Sequence, residues 1–272
     1  MTYAPALNCI KYSVGIDPCC GSGGMFIQSA ALVKSKQGAI NRINVYGQEK
    51  EPATYRLAKM NLALRGIRHS LGDSSDSSFL KDLHKSVYFN YIMANPPYNL
   101  KGWYDSTLEH DPRWADYQTP PESNANYAWI LHMLSHLKKQ TGVAGFLLAN
   151  GVFNDSDTIE IRKNLIQNDK VEAIIVLPRE LFITTDISVT LWILNQNKKD
   201  GCSLRLYILT SQIKFRHSLR TFFSVRCAFF SVIYHLFINN FCCSVAKIIH
   251  FLHPQHHIFS LKFFCNLLLL GK

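Results

Sequence analysis

The chain has 272 residues, 47% of them apolar and 18% charged, which suffices for one large buried core or two small ones and excludes a disordered, collagen-like or coiled-coil chain. Its 29 Lys and Arg outweigh 19 Asp and Glu, and the formal net charge of +10 suggests a polyanionic partner. Placing the charges weakens that suggestion: residues 1–200 hold 21 basic and 19 acidic residues, while the last 72 hold eight basic residues and no acid.

From Tyr12 to about Asn197, short apolar or β-branched runs alternate with helical patterns, the signature of an α/β fold with a largely parallel sheet. Residues 13–16 form a strand that leads into a glycine loop, and 25–35 read as a helix. A second strand at 43–46 precedes a helix that opens with Pro52 at a first-turn position and runs to Gly66. A short stretch at 67–71 would bring the strand count from six to seven. The strand at 88–94 stops at Pro96-Pro97, since proline cannot donate to a ladder and biases its predecessor away from helix. A polar and aromatic loop from Tyr98 to about Ser123 follows, then a helix at 126–137, a buried strand at 143–149, a helix at 158–167, and strands at 171–177 and 189–195. In such a sheet, ligands sit outside the carboxyl ends of the strands.

The last 72 residues are compositionally foreign to the rest. They hold 11 of the 17 Phe, 6 of the 11 His and 5 of the 8 Cys, and they show no steady period of 2 or 3.6. This composition points to a change of reading frame near Gly201, which makes residues 1–200 the native domain and 201–272 a tail that is not one. The competing reading is a membrane segment, because Arg226 and Lys247 bracket 20 residues without formal charge, although His235, Asn239 and Asn240 interrupt them. The first residues lack the charged start and apolar stretch of a signal peptide, and Cys9, Cys19 and Cys20 lack a second CxxC-type pair. A cytoplasmic protein with no membrane partner is therefore expected.

Three motifs fall at strand ends. Asp17-Pro18-Cys19-Cys20-Gly21-Ser22-Gly23-Gly24 places three glycines in four residues between a strand and a helix, so the backbone can turn sharply and offer N–H groups to a ligand. It is neither G-x-G-x-x-G nor a P-loop, and a tight turn without a ligand is the plain alternative. Gly47-Gln48-Glu49 ends the next strand with an acid able to accept hydrogen bonds from both ribose hydroxyls, though a lone Glu is more often a solvated charge. Asn95-Pro96-Pro97-Tyr98 follows the apolar run Tyr91-Ile92-Met93-Ala94. The prolines set the directions of the Pro96 carbonyl and the Asn95 side chain, two acceptors for the hydrogens of a planar amine, with an aromatic ring available to stack on the attached heterocycle.

With these motifs in hand, residues 15–200 resemble the modification subunits of type I restriction-modification systems, which are S-adenosylmethionine-dependent DNA adenine-N6 methyltransferases. The resemblance rests on DPCCGSGGMF at 17–26, YGQE at 46–49, RLAKMNLALRGI at 56–67, KDLH at 81–84, YIMANPPYNL at 91–100, DPRW at 111–114, NANYAW at 124–129, GVAGFLLANG at 142–151 and VEAIIVLP at 171–178. It implies a Rossmann-like methyltransferase fold with a mostly parallel six- or seven-stranded sheet and helices on both faces. It further implies that Asp17, Pro18, Gly21, Ser22, Gly23 and Gly24 hold the methionine end of S-adenosylmethionine. Glu49 would hold its ribose, and Asp76, or Asp73 if the alignment slips, would lie near its adenine. Asn95, Pro96, Pro97 and Tyr98 would grip an adenine flipped out of double-stranded DNA, a chemistry that asks for no metal. Specificity and restriction subunits would be the protein partners. Relative to the family, only 16 residues precede Asp17, so the N-terminal helical domain is expected to be missing.

Two other readings stand beside this one: an inactive truncated or frameshifted product, and an enzyme acting on protein glutamine or RNA, which RLAKMNL and NANYAW disfavour. His132 and His136 have a zinc-compatible spacing but no third ligand in sequence, and read as ordinary helix residues. His253, His256 and His257 lie in the foreign tail. In the long loop, Trp103, Tyr104, Arg113 and Trp114 read equally as DNA contacts or as loop packing.

Overall fold

The computed structural model describes residues 14–35, 44–177, 187–196 and the strand Arg205–Ile208. The first residue of the expected opening strand, the stretch 226–247 and the three tail histidines lie outside the described residues.

Alternation of apolar strands and helices produces one sheet. Its strands are β1 (Val14–Asp17), β2 (Asn44–Gly47), β3 (His69–Ser70), β4 (Tyr91–Ala94), β5 (Val143–Ala149), β6 (Val171–Val176), β7 (Val189–Asn195) and β8 (Arg205–Ile208). They lie in the order β3-β2-β1-β4-β5-β7-β6-β8. Pairing is parallel throughout except at β7, which runs antiparallel to both β5 and β6. The chain builds outward from β1 through β2 to β3, then returns to add β4 and β5 on the other side. The switch point of the topology is therefore the crevice between the carboxyl ends of β1 and β4.

Helices cover both faces. On one, α1 (Gly24–Ser35) and α2 (Pro52–Ala63) bury Phe26, Ala30, Tyr55, Ala58 and Leu62 against Val45, Ile67 and Leu71. On the other, α3 (Asn126–His136) and α4 (Ile159–Gln167) enclose a larger core with Ile92, Phe146, Ile174 and Trp192. α3 is buried on nearly all sides, from Asn126 through Leu134 and again at His136. A helix covered all round needs a second layer beyond the sheet. The loop 98–123 supplies it, packing Trp103, Leu108 and Trp114 into the same core.

Three boundaries differ from the sequence expectation for local reasons. α2 stops at Ala63 because Gly66 takes φ of 62°, with its N–H on Ala63 and the Ile67 N–H on Leu62, a glycine-ended helix turn. β4 begins at Tyr91 rather than 88 because Phe89 bonds instead to the end of α3 and the residues after it, donating to the His136 carbonyl and accepting from Lys138 N–H. The sheet has eight strands rather than six or seven. The eighth, β8, lies past residue 200 and pairs in parallel with β6 from Ala173↔Arg205 to Val176↔Ile208, occupying an edge whose N–H and C=O groups would otherwise face solvent. Among the described residues, no helix is long and apolar enough to cross a membrane.

Candidate active site

The glycine loop closes the end of β1 as a set of backbone turns. Asp17 accepts the Cys19 N–H on Oδ1, Gly23 N–H bonds the Cys20 carbonyl, and Ile27 N–H bonds Gly23. Gly21 and Gly23 have φ of 54° and 79°, a region that non-glycine side chains rarely adopt. A Cβ on Gly21 or Gly24 would meet nothing within 4 Å, so this side of the loop is open. Asp17 is 2% exposed, and burial, opposed by the Cys19 bonds and aided by nearby Glu49, pushes its carboxyl up to about 7. Burial also pushes the Cys19 and Cys20 thiols far up, which leaves both as inert packing groups.

The end of β2 is tied to this loop. Cys20 N–H bonds the Gln48 carbonyl and Gln48 N–H bonds Asp17. Glu49 spans the two loops, accepting Gly21 N–H on Oε2 and Glu51 N–H on Oε1, each at 2.9 Å. Gln48, not singled out by sequence, is 2% exposed and organises the segment after β3: its amide nitrogen donates to the Asp76 and Lys81 carbonyls and its oxygen accepts Leu83 N–H. Asp76 thus stands beside the end of β2. Ser74 and then Lys81 hold its carboxyl below the usual range. Ser78 and Asn61 complete the framing, donating to the carbonyls of Pro18 and Ser22.

The Asn95-Pro96-Pro97-Tyr98 turn leaves the end of β4, beside β1. Pro96 is buried, while Asn95 and Pro97 are exposed. The Tyr98 hydroxyl donates to Asn95 Oδ1 at 2.8 Å, so the acceptor expected to receive an amine is held here by a hydroxyl of the same turn; burial pushes that phenol up to about 12. The turn is anchored behind by Asn99 and Asn126, which exchange two bonds: Asn99 N–H to Asn126 Oδ1, and Asn126 Nδ2 to Asn99 Oδ1. Asn126 sits within NANYAW, but its partner is visible only in three dimensions.

The long loop's aromatic residues pack inward. Trp103 and Trp114 are 3% and 2% exposed and donate their indole N–H groups to the Pro121 and Leu108 carbonyls. Arg113 is likewise turned inward. For Trp103, Arg113 and Trp114 the structure selects packing, and Tyr104 is half-buried against the same core beside Trp103.

His132 and His136 do acquire a third neighbour, one that sequence spacing could not reveal. Asp82 brings an oxygen within 4.8 Å of a nitrogen of each. His136 lies with Nε2 2.8 Å from Asp82 Oδ2 and Nδ1 3.1 Å from the Val87 carbonyl. Burial works to raise Asp82, and His136 overcomes it and holds the carboxyl down to about 2. His132 is kept neutral, its pKa driven well down by burial, then by His136 and Arg113, and its Nδ1 faces Arg113 Nη1 at 3.0 Å. A guanidinium donor on Nδ1 requires the lone pair there and puts the proton on Nε2, the opposite of what ligation through Nε2 needs. The trio is therefore built as a hydrogen-bond network joining α3 to the segment before β4.

Sheet order, the reversed β7, and an open glycine loop at the switch point define a Rossmann-like domain of the S-adenosylmethionine-dependent methyltransferase type. The chain belongs to the N-6 DNA methylase family, which it matches over residues 6–223. It is 45% identical over 185 residues to the type I restriction enzyme HindI methylase subunit of Haemophilus influenzae, covering 67% of this chain and 41% of that one. It is 38% identical over 190 residues to the MjaIX methylase subunit of Methanocaldococcus jannaschii, covering 68% and 34%. Among solved structures, the type I restriction-modification methyltransferase subunit from Streptococcus thermophilus superposes with a TM-score of 0.61 at 29% identity, over 70% of this chain and 41% of that one. The chain thus spans about two fifths or less of the length of these relatives.

Proposed function

We propose that this chain carries the catalytic core of an S-adenosylmethionine-dependent DNA adenine-N6 methyltransferase, the modification subunit of a type I restriction-modification system acting in the cytosol. The observation that carries the reading is the parallel pairing of β1 with β4, Gly15 opposite Tyr91 and Ile16 opposite Ile92. This register sets a glycine loop and an Asn-Pro-Pro-Tyr turn side by side at the switch point. The names of the curated relatives support it.

The residues fit the cofactor. The backbone is bare where Gly21 and Gly24 face open space, and Asp17 is a buried acid suited to an ammonium partner. Glu49 is an acid already bridging two loops through its own acceptors. Asp17, Pro18, Gly21, Ser22, Gly23 and Gly24 would hold the methionine end, Glu49 the ribose, and Asp76 the adenine side. When bound, the cofactor supplies an electrophilic methyl group on a sulfonium. The target amine is a poor nucleophile because its lone pair is delocalised into the ring. Asn95 Oδ1 and the Pro96 carbonyl accept its two hydrogens, localise the lone pair and aim it, while Pro97 keeps the turn rigid and the Tyr98 ring stacks on the flipped base. Duplex DNA is the substrate, and specificity and restriction subunits are the partners.

Calorimetry of the purified chain with S-adenosylmethionine, followed by transfer of labelled methyl groups to duplex DNA in the presence of a type I specificity subunit, tests this. Binding with adenine-N6 labelling is the expected result. No heat of binding and no protection against thermal unfolding would overturn it.

A further inference from the structure

Arg113 reaches across the domain in a way the proposed chemistry does not use. It sits in the 3₁₀ turn Pro112–Trp114 of the loop that continues from the Asn-Pro-Pro-Tyr turn, and its side chain is 10% exposed. All five guanidinium donors are engaged. Nε and Nη2 form a forked pair with Asp111 Oδ1 and Oδ2 at 2.8 and 2.7 Å. Nη1 donates to the Ser78 carbonyl at 2.8 Å and to the neutral His132 Nδ1 at 3.0 Å, and Nη2 also donates to the Phe79 carbonyl at 2.5 Å. Ser78 in turn donates its hydroxyl to the Pro18 carbonyl inside the glycine loop at 2.5 Å. Phe79 packs against two indoles, its ring centroid 5.1 Å from that of Trp103 of the long loop and 4.3 Å from that of Trp129 of α3.

This buried charge has no donor left for a phosphate, and a lysine could not replace it, since an ammonium has three donors and no planar fork. Its donors tie the target-side loop to the segment carrying Asp76 at Ser78 and Phe79, and the Ser78 hydroxyl carries that link on to the glycine loop at Pro18. We propose that Arg113 is a positioning residue that couples the two halves of the site: occupation of the cofactor side, felt at Pro18 and Ser78, tightens the target-side loop 100–117 through the Arg113 fork. The inference rests on the reading of the β1 loop as the S-adenosylmethionine site.

Hydrogen exchange on the full chain, with and without S-adenosylmethionine, reads this coupling directly. In the wild-type chain the cofactor should slow amide exchange in 100–117 by roughly tenfold. Arg113→Lys should still bind the cofactor, within a few-fold of wild type, yet lose that slowing. A residue that merely stabilised the loop would change exchange equally with and without cofactor. Ser78→Ala, which removes only the link to Pro18, should lose the slowing as well, and it alone decides should Arg113→Lys fail to melt cooperatively. Undiminished slowing in the deciding variant would overturn the proposal, as would wild-type binding that leaves 100–117 unchanged, a result under which the cofactor reading survives. Absence of any binding by the wild-type chain would bring down the cofactor reading and the coupling together.

Discussion

At the scale of single residues, the two halves of the candidate site are poised differently. Asn95 is exposed and its acceptor oxygen takes the Tyr98 hydroxyl on one of its two lone pairs, leaving acceptor capacity for an incoming amine. Asn95→Ala is therefore expected to abolish methyl transfer while leaving cofactor affinity within a few-fold, measured by labelled transfer and calorimetry; equal loss of both would move Asn95 out of the proposed role. Asp17 is the reverse case, a buried acid that is costly to ionise. Its carboxyl sits near 7 in the folded chain against 3.8 for an ordinary Asp, so between these values the folded state keeps a proton that the unfolded state has lost. Its contribution to stability is full below pH 3.8, falls as pH rises toward 7 and is gone above it. Without cofactor, melting temperature should decline from pH 5 to pH 8, and Asp17→Asn should flatten that decline. An unchanged pH profile in the variant would show that Asp17 is not the buried proton holder.

At the scale of elements, what was legible in the sequence follows from what is local. The strand 189–195 and the helix 126–136 could be read from runs of residue type, as could the glycine and proline turns, because the physics that shapes them acts within a few residues. Residues that act across the chain were not. Gln48 bonds Lys81 and Leu83 more than 30 positions away, Ser78 bonds Pro18 at a separation of 60, and Asp82 meets His136 at 54. Nothing in local patterning distinguishes them from surface polar residues. Gly47 shows both sides of this. Its place at a strand end was readable, yet its need to be glycine is tertiary: a Cβ there would stand 2.8 Å from Leu71 Cδ2, 3.0 Å from Phe26 Cε2 and 3.1 Å from Cys20 Sγ. Gly47→Ala requires the ends of the buried Leu71, Phe26 and Cys20 side chains to give way, and should cost about 1–3 kcal/mol. Chemical denaturation would register it as a lower midpoint at unchanged slope, and an undiminished midpoint would mean that Leu71 and Phe26 yield freely.

For the molecule as a whole, the charge distribution and the sheet edge bear on the same boundary. The net charge of +10 is concentrated past residue 200, whereas the Asn-Pro-Pro-Tyr turn and the glycine loop lie in a region whose charges nearly cancel. The case for a DNA substrate therefore rests on pocket chemistry and kinship rather than on bulk electrostatics. Composition alone placed the end of the domain at residue 200, but β8 pairs with β6 at 205–208 and the family match continues to 223. A chain ended after residue 200 would leave β6 as the sheet edge, with the ladder from Ala173 to Val176 unpaired. At about 1 kcal/mol net per hydrogen bond, loss of that four-residue ladder should cost roughly 4 kcal/mol, or about 10 °C in a domain of this size. An exposed flat edge also invites pairing with other chains. We expect a version ending at residue 200 to melt lower and scatter more light than one ending at residue 212, with identical cofactor affinity, because β8 lies at the far end of the sheet from the β1–β4 crevice. Equal melting temperatures would place the boundary at 200 after all, and a selective loss of cofactor affinity would mean that the sheet edge and the site are coupled.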